Sequence, residues 1–132
     1  MTDIHDSDVQ RLLDAPNVAV ISTRNPDDSI LSAVVWQSVE NGHVAVNSAE
    51  GRQWPANLER DPRITLVVVD PENPYSYVQV RGRARQVEEG ADEHIDQLAK
   101  KYLGQDEYPF RQPGEKRVKF AIEPERVTFV KQ

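Results

Sequence analysis

The sequence predicts a mainly β protein, a small β-barrel with flanking helices, and three observations carry that reading. Seven short segments are β-branched or alternate apolar with polar residues, only two longer segments have helical periodicity, and an Asn41-Gly42 pair separates two of the strand-like runs. Strands joined mostly by hairpins, with helices packed outside, favour a closed β architecture over a layered α/β sheet.

The first element is a helix over Asp8 to Ala15, with Val9, Leu12 and Leu13 at i, i+3, i+4 spacing, Ser7 as the expected cap and Pro16 as the stop. Val18 to Thr23 and Ile30 to Gln37 read as strands joined by the turn-rich "RNPDDS". Asn41-Gly42 supplies two residues that tolerate positive φ, which selects a tight hairpin into a strand from His43 to Asn47. A short helix-like run follows Gly51-Arg52 and ends at Asp61-Pro62, before a strand from Ile64 to Asp70 and a "PENP" turn. The strand from Ser76 to Val87 places Val78, Val80, Gly82 and Ala84 on one face and Tyr77, Gln79, Arg81, Arg83 and Arg85 on the other. A second long helix, Ala91 to Leu103, stacks Ile95, Leu98, Ala99, Tyr102 and Leu103. A polar loop, "GQDEYPFRQPGEK", leads to two last strands, Arg117 to Ile122 and Arg126 to Val130.

A chain of 132 residues with 38% apolar and 29% charged residues reads as one domain, residues 1–132, soluble and globular. The net charge of -6 argues against nucleic-acid binding, which draws on lysine and arginine. The charge is uneven: residues 52–85 carry six basic and four acidic side chains and are the only net positive third, the natural place for an anionic small ligand. The absence of cysteine removes disulfide and thiolate chemistry and fits a cytoplasmic protein, and no apolar run approaches membrane-spanning length.

Familiar catalytic signatures are missing. His5, His43 and His94 stand apart with no metal-ligand spacing and are expected at the surface, and the sequence holds no G-x-S-x-G, P-loop or G-x-G-x-x-G. The acidic "VEEGADEHID" fits a helix start. Without a protein-borne nucleophile, redox chemistry here needs a bound cofactor. Gly51-Arg52 sits where a strand gives way to a helix with Pro55 in its first turn, so free N–H groups and a planar guanidinium meet at one bend. From these residues alone, an anion ligand and a solvated bend are both open readings.

The order "VAVIST...LSAVVW...NG...VAVNSAEGRQWPANLERDPRITLVVVD...YSYVQVRGRA" resembles the flavin and deazaflavin oxidoreductases of the pyridoxamine 5'-phosphate oxidase-like superfamily. Within it, the chain is most similar to short coenzyme F420-dependent reductases common in actinobacteria. The resemblance implies a six-stranded, FMN-binding-like split β-barrel working as a homodimer, with cofactor sites between subunits. It matches Arg52 and the backbone at Gln53 and Trp54 to the phosphate-holding segment, and Asn57 to a polar residue of the same helix. Ser32 and Val34, with Asn47 and Ser48, match positions lining the ring, and Tyr75 and Tyr77 match aromatic positions from the opposite subunit.

Trp54 stands where many relatives carry a lysine, so the phosphate loses a second cation, although an indole N–H donates a hydrogen bond and its ring covers a flat ligand. This disfavours the FMN dianion relative to the F420 phosphodiester. The longer oxidases' C-terminal arginine motif is also missing from "ERVTFVKQ", which argues against vitamin B6 oxidation. The resemblance therefore implies hydride transfer from reduced F420 to an electron-poor small molecule such as an activated C=C bond, with Tyr77 or solvent as proton donor. An FMN oxidoreductase and a non-catalytic flavin, haem or bilin binder of the same fold are the alternatives.

Overall fold

The computed structural model describes residues 2–132. In chain order the elements are α1 (Ser7–Asp14), β1 (Ala19–Arg24), β2 (Ile30–Val35), β3 (Gln37–Glu40), β4 (His43–Ala49), α2 (Gln53–Arg60), β5 (Arg63–Val69), β6 (Tyr77–Val87), α3 (Ala91–Leu103) and β7 (Arg117–Val130). Every strand pairing is antiparallel, in the order β2-β1-β5-β6-β7-β4-β3. The two edge strands, β2 and β3, are separated in the chain only by Trp36, so the sheet has to curl until its edges approach each other. The result is a split β-barrel, in which β2 and β3 act as one strand broken at Trp36. The expected single strand from Ile30 to Gln37 is thus two, because its halves pair with β1 and with β4.

The expected hairpin is present: Asn41 and Gly42 have φ of 52° and 79°, and Glu40 pairs with His43 across them. The two expected last strands are one, β7, which pairs with β4 and β6. Its register shifts opposite Arg81-Gly82, where Gly82 meets Pro124. A Cβ on Gly82 would lie 2.1 Å from the Glu123 carbonyl oxygen, so only glycine lets β7 keep its pairing through the irregularity.

The core holds Ile21, Leu66, Val78, Val80, Phe120 and Ile122, from alternate positions of β1, β5, β6 and β7, and Leu12 and Leu13 of α1 close one end. Asp6, not Ser7, caps α1, and no side chain bonds the free N–H groups there. The buried stripe of α3 is His94, Ile95, Leu98 and Ala99, while Leu103 is exposed. The stripe is rotated toward His94 because polar groups of the sheet lie beneath it. His94 is therefore not the surface residue its isolation in the sequence led us to expect. Lys101 Nζ donates to the Leu13 and Gln37 carbonyls at 2.6 and 2.8 Å, and the Tyr102 hydroxyl donates to Asn17 O at 2.7 Å, tying α3 to α1 and to the β2–β3 corner. Among the described residues, no helix is long and apolar enough to cross a membrane.

Candidate functional site

β4 ends in Asn47-Ser48-Ala49, a tight connection through Gly51 at φ 93° reverses the chain, and α2 begins at Gln53 with Arg52 as its extended N-cap residue. No side chain caps α2, so its first N–H groups remain available beside the Arg52 guanidinium. Five expected residues, Val34, Asn47, Ser48, Arg52 and Trp54, line one cavity of about 180 Å³ at this bend. Trp36, Tyr108, Phe110 and Arg117 complete much of its wall.

Two residues of the cavity wall have unspent polar capacity. The Ser48 hydroxyl is buried and has no hydrogen-bond partner, an arrangement that costs stability unless a ligand or water satisfies it. Arg52 leaves 56% of its side chain exposed, and its one ionic contact is a 3.7 Å approach to Glu115 Oε1. Trp54 is different: its ring turns inward against Phe120, with centroids 5.8 Å apart, so the indole belongs to the core as well as to the cavity wall.

Behind the cavity runs a buried polar chain. Arg117, whose side chain is 2% exposed, donates to Glu115 Oε1 at 2.7 Å and to Asn47 Oδ1 at 3.0 Å and packs its guanidinium 5.0 Å from the Tyr108 ring centre. Asn47 Nδ2 donates to Ala91 O and to His94 Nδ1 at 3.1 Å. Accepting at Nδ1 leaves the proton on Nε2, which donates to Ser38 Oγ at 2.9 Å. Burial, together with Lys119, pushes His94 down to about 4, so it is neutral at physiological pH. Burial opposes ionisation of Glu115, but the Gln112 N–H and the Arg117 charge outweigh it and hold the carboxyl below its ordinary range. The Asn47 amide is thus fully engaged, which fixes the end of β4 rather than offering a donor to a ligand.

The remaining expected residues lie elsewhere. Gln53 donates to Asn57 Oδ1, and Asn57, fully buried, donates to Thr23 and Asn25, clamping α2 to the end of β1. Ser32 shares the outward face of β2 with Val34, its hydroxyl 3.1 Å from that of Ser22. Tyr75 projects from the β5–β6 turn with 73% exposure and Tyr77 begins β6, neither of them in this cavity. Sequence reasoning missed Trp36, Glu115, Tyr108 and Arg117. The aromatic "YPF" inside an otherwise polar loop was the available signal for the loop, whereas Arg117 reads as an ordinary strand start.

The profile of the pyridoxamine 5'-phosphate oxidase family matches residues 6–131, which is nearly the whole chain. The chain belongs to that family. Solved structures with this family's fold include an F420 reductase, 24% identical, covering 90% of this chain and 94% of its own, with a TM-score of 0.79. A putative pyridoxamine 5'-phosphate oxidase from Listeria innocua is 15% identical over 92% of this chain and 94% of its own, with a TM-score of 0.72. A heme binding protein from Mycobacterium smegmatis is 20% identical over 86% of this chain but 48% of its own, with a TM-score of 0.63. No curated protein matches the chain by sequence. The family's barrel is the common feature of these structures, and in this chain the Ser48–Arg52 bend of that barrel holds an unsatisfied buried hydroxyl beside an exposed arginine.

Proposed function

We propose that this chain is an oxidoreductase that holds coenzyme F420 at the Ser48–Arg52 bend and reduces an electron-poor small molecule such as one with an activated C=C bond. The observation that carries the reading is the unpartnered, buried Ser48 hydroxyl in the same cavity as Arg52 and the uncapped start of α2. Those groups fit a ligand with a polar ring edge and a phosphodiester. Arg52 and the α2 N–H groups bind the phosphate, and Ser48 donates to or accepts from the ring. The coenzyme, when bound, supplies the hydride.

Val34 and Trp36 provide the apolar wall that excludes water, and the Arg117–Asn47–His94 chain holds that wall and the bend in register. The similarity to an F420 reductase supports this choice of cofactor. So does the local charge: Glu115 neutralises Arg117 and also lies 3.7 Å from Arg52, and Trp54 brings no cation, so Arg52 suits a monoanionic phosphodiester better than the FMN dianion.

A cavity of about 180 Å³ is below the roughly 300 to 1,000 Å³ of complete ligand sites, so the site is half of one. A second copy completes it. The outward sheet face leaves Val20, Val34 and Val69 exposed at 40%, 68% and 43%, a contiguous apolar surface that a homodimer covers, and Tyr75 and Tyr77 are the aromatic groups one copy offers to the other's cofactor. Side-by-side titration of the purified protein with F420 and FMN at one salt concentration tests the reading. Tighter binding of F420, with acceptor-dependent oxidation of its reduced form, is expected, and FMN binding at least as tight defeats it.

A further inference from the structure

Away from the Arg52 bend, strand register assembles a second polar site on the outward sheet face. Ser22 of β1 lies opposite Thr65 of β5, Thr65 opposite Arg81 of β6, and Arg81 opposite Arg126 of β7. One step along the same face, Arg63 lies opposite Arg83. Like charges directly opposite each other destabilise a sheet, so arginine pairs with no carboxylate to offset them oppose folding. In a chain of net charge -6, nothing about stability or solubility calls for them, and a local rule broken without structural gain marks a functional site.

The nearby carboxylates resolve the conflict at Arg63 and Arg83 but not at Arg81 and Arg126. Asp61 holds Arg24 and Arg63, Asp28 holds Arg24, and Glu125 holds Arg83. Arg81 and Arg126, both exposed, have no acidic partner among the described residues. Arg24 Nε is buried without a hydrogen-bond partner. Ser22, Arg24, Arg63, Thr65, Arg81 and the Glu125 carboxylate line one cavity of about 460 Å³, more than twice the volume of the Arg52 cavity, and Arg126 is not part of its wall.

We propose that this cavity is a second anion site, built for a compact oxyanion, with Arg81 as its central cation and the Ser22 and Thr65 hydroxyls as further donors. Of the three arginines in the cavity wall, Arg81 alone has no acidic partner, and its planar guanidinium fork matches phosphate and carboxylate oxygens alike. The ligand is therefore a small molecule bearing a phosphate or a carboxylate group. It uses none of the groups assigned to the coenzyme phosphate, so the two readings stand or fall separately.

Calorimetric titration of the full chain at low ionic strength, with sodium pyrophosphate and with tricarballylate, tests the proposal. Saturable one-to-one binding of at least one probe is expected, weakened about tenfold by Arg81→Gln and a fewfold by Thr65→Val. Arg52→Ala should leave that affinity unchanged while altering F420 binding. Preference for pyrophosphate identifies a phosphate ligand and preference for tricarballylate a carboxylate one, and either supports the site. Binding of neither probe, or equal binding to Arg81→Gln, overturns it. So does loss of self-association in Arg81→Gln without binding of either probe, because the arginines then meet the carboxylates of a second copy.

Discussion

The Arg52 guanidinium faces Glu115 at 3.7 Å, through the same oxygen that lies 2.7 Å from Arg117. Glu115 is thus an internal anion set between a buried arginine and an exposed one, and any ligand phosphate at Arg52 has to share or displace its field. Glu115→Gln should raise affinity for the anionic cofactor severalfold. It should also lower the stability of the cofactor-free protein by roughly 1 to 3 kcal/mol, because Arg117 keeps a hydrogen-bond acceptor but loses its counter-charge. Titration paired with urea unfolding separates the two effects.

Ser48 gives the opposite signature. Its hydroxyl is buried without a partner, so Ser48→Ala removes an unsatisfied group and should leave the unliganded protein as stable as before or about 1 kcal/mol more stable. If the hydroxyl meets the cofactor ring, the same variant should bind F420 about three- to tenfold more weakly. Thermal unfolding with and without cofactor measures both.

His94 makes stability depend on pH in a defined window. Its folded pKa of about 4 lies below the ordinary 6.5, so between those values the unfolded chain binds the proton that the folded one refuses. Stability should therefore hold above about pH 6.5 and fall as pH drops toward 4, at up to roughly 1.4 kcal/mol per unit of difference, or about 1 to 3 kcal/mol in all. The part of the acid loss that disappears in His94→Gln is the part due to this residue, read from urea unfolding at neutral and mildly acidic pH.

The exposed apolar face makes self-association testable without touching the site. Val20 lies opposite both Val34 and Val67, faces outward and is 40% exposed. Val20→Glu should shift the protein toward monomer in light scattering at micromolar concentration, weaken F420 binding in parallel, and leave the unfolding midpoint of the monomer nearly unchanged.

Features set by neighbouring residues were legible in the sequence: the Asn41-Gly42 turn, the alternating faces of β6 and the limits of α3 needed no long-range information. Trp36 breaking one strand into two was not legible, because the break exists only where β2 pairs with β1 and β3 with β4. β7 was read as two strands because Pro124 looks like a stop, whereas the missing side chain of Gly82 on another strand lets it continue. The Gly51-Arg52 bend could be singled out from local chemistry, but Glu115 and Arg117 reach it from a distant loop and strand. His94, like the "YPF" loop, carried a local cue, since it precedes Leu98 by four residues on a buried helical stripe.

The central claim is that Arg52 anchors an anionic cofactor at the start of α2. Titration of wild type, Arg52→Ala and Arg52→Lys with F420 at two salt concentrations tests it most directly. Loss of this charge-assisted contact should weaken binding by about ten- to a hundredfold in Arg52→Ala and flatten its salt dependence, with partial recovery in Arg52→Lys and little change in unliganded stability. Unchanged affinity of Arg52→Ala for both F420 and FMN would contradict the account and return Arg52 to a solvated bend.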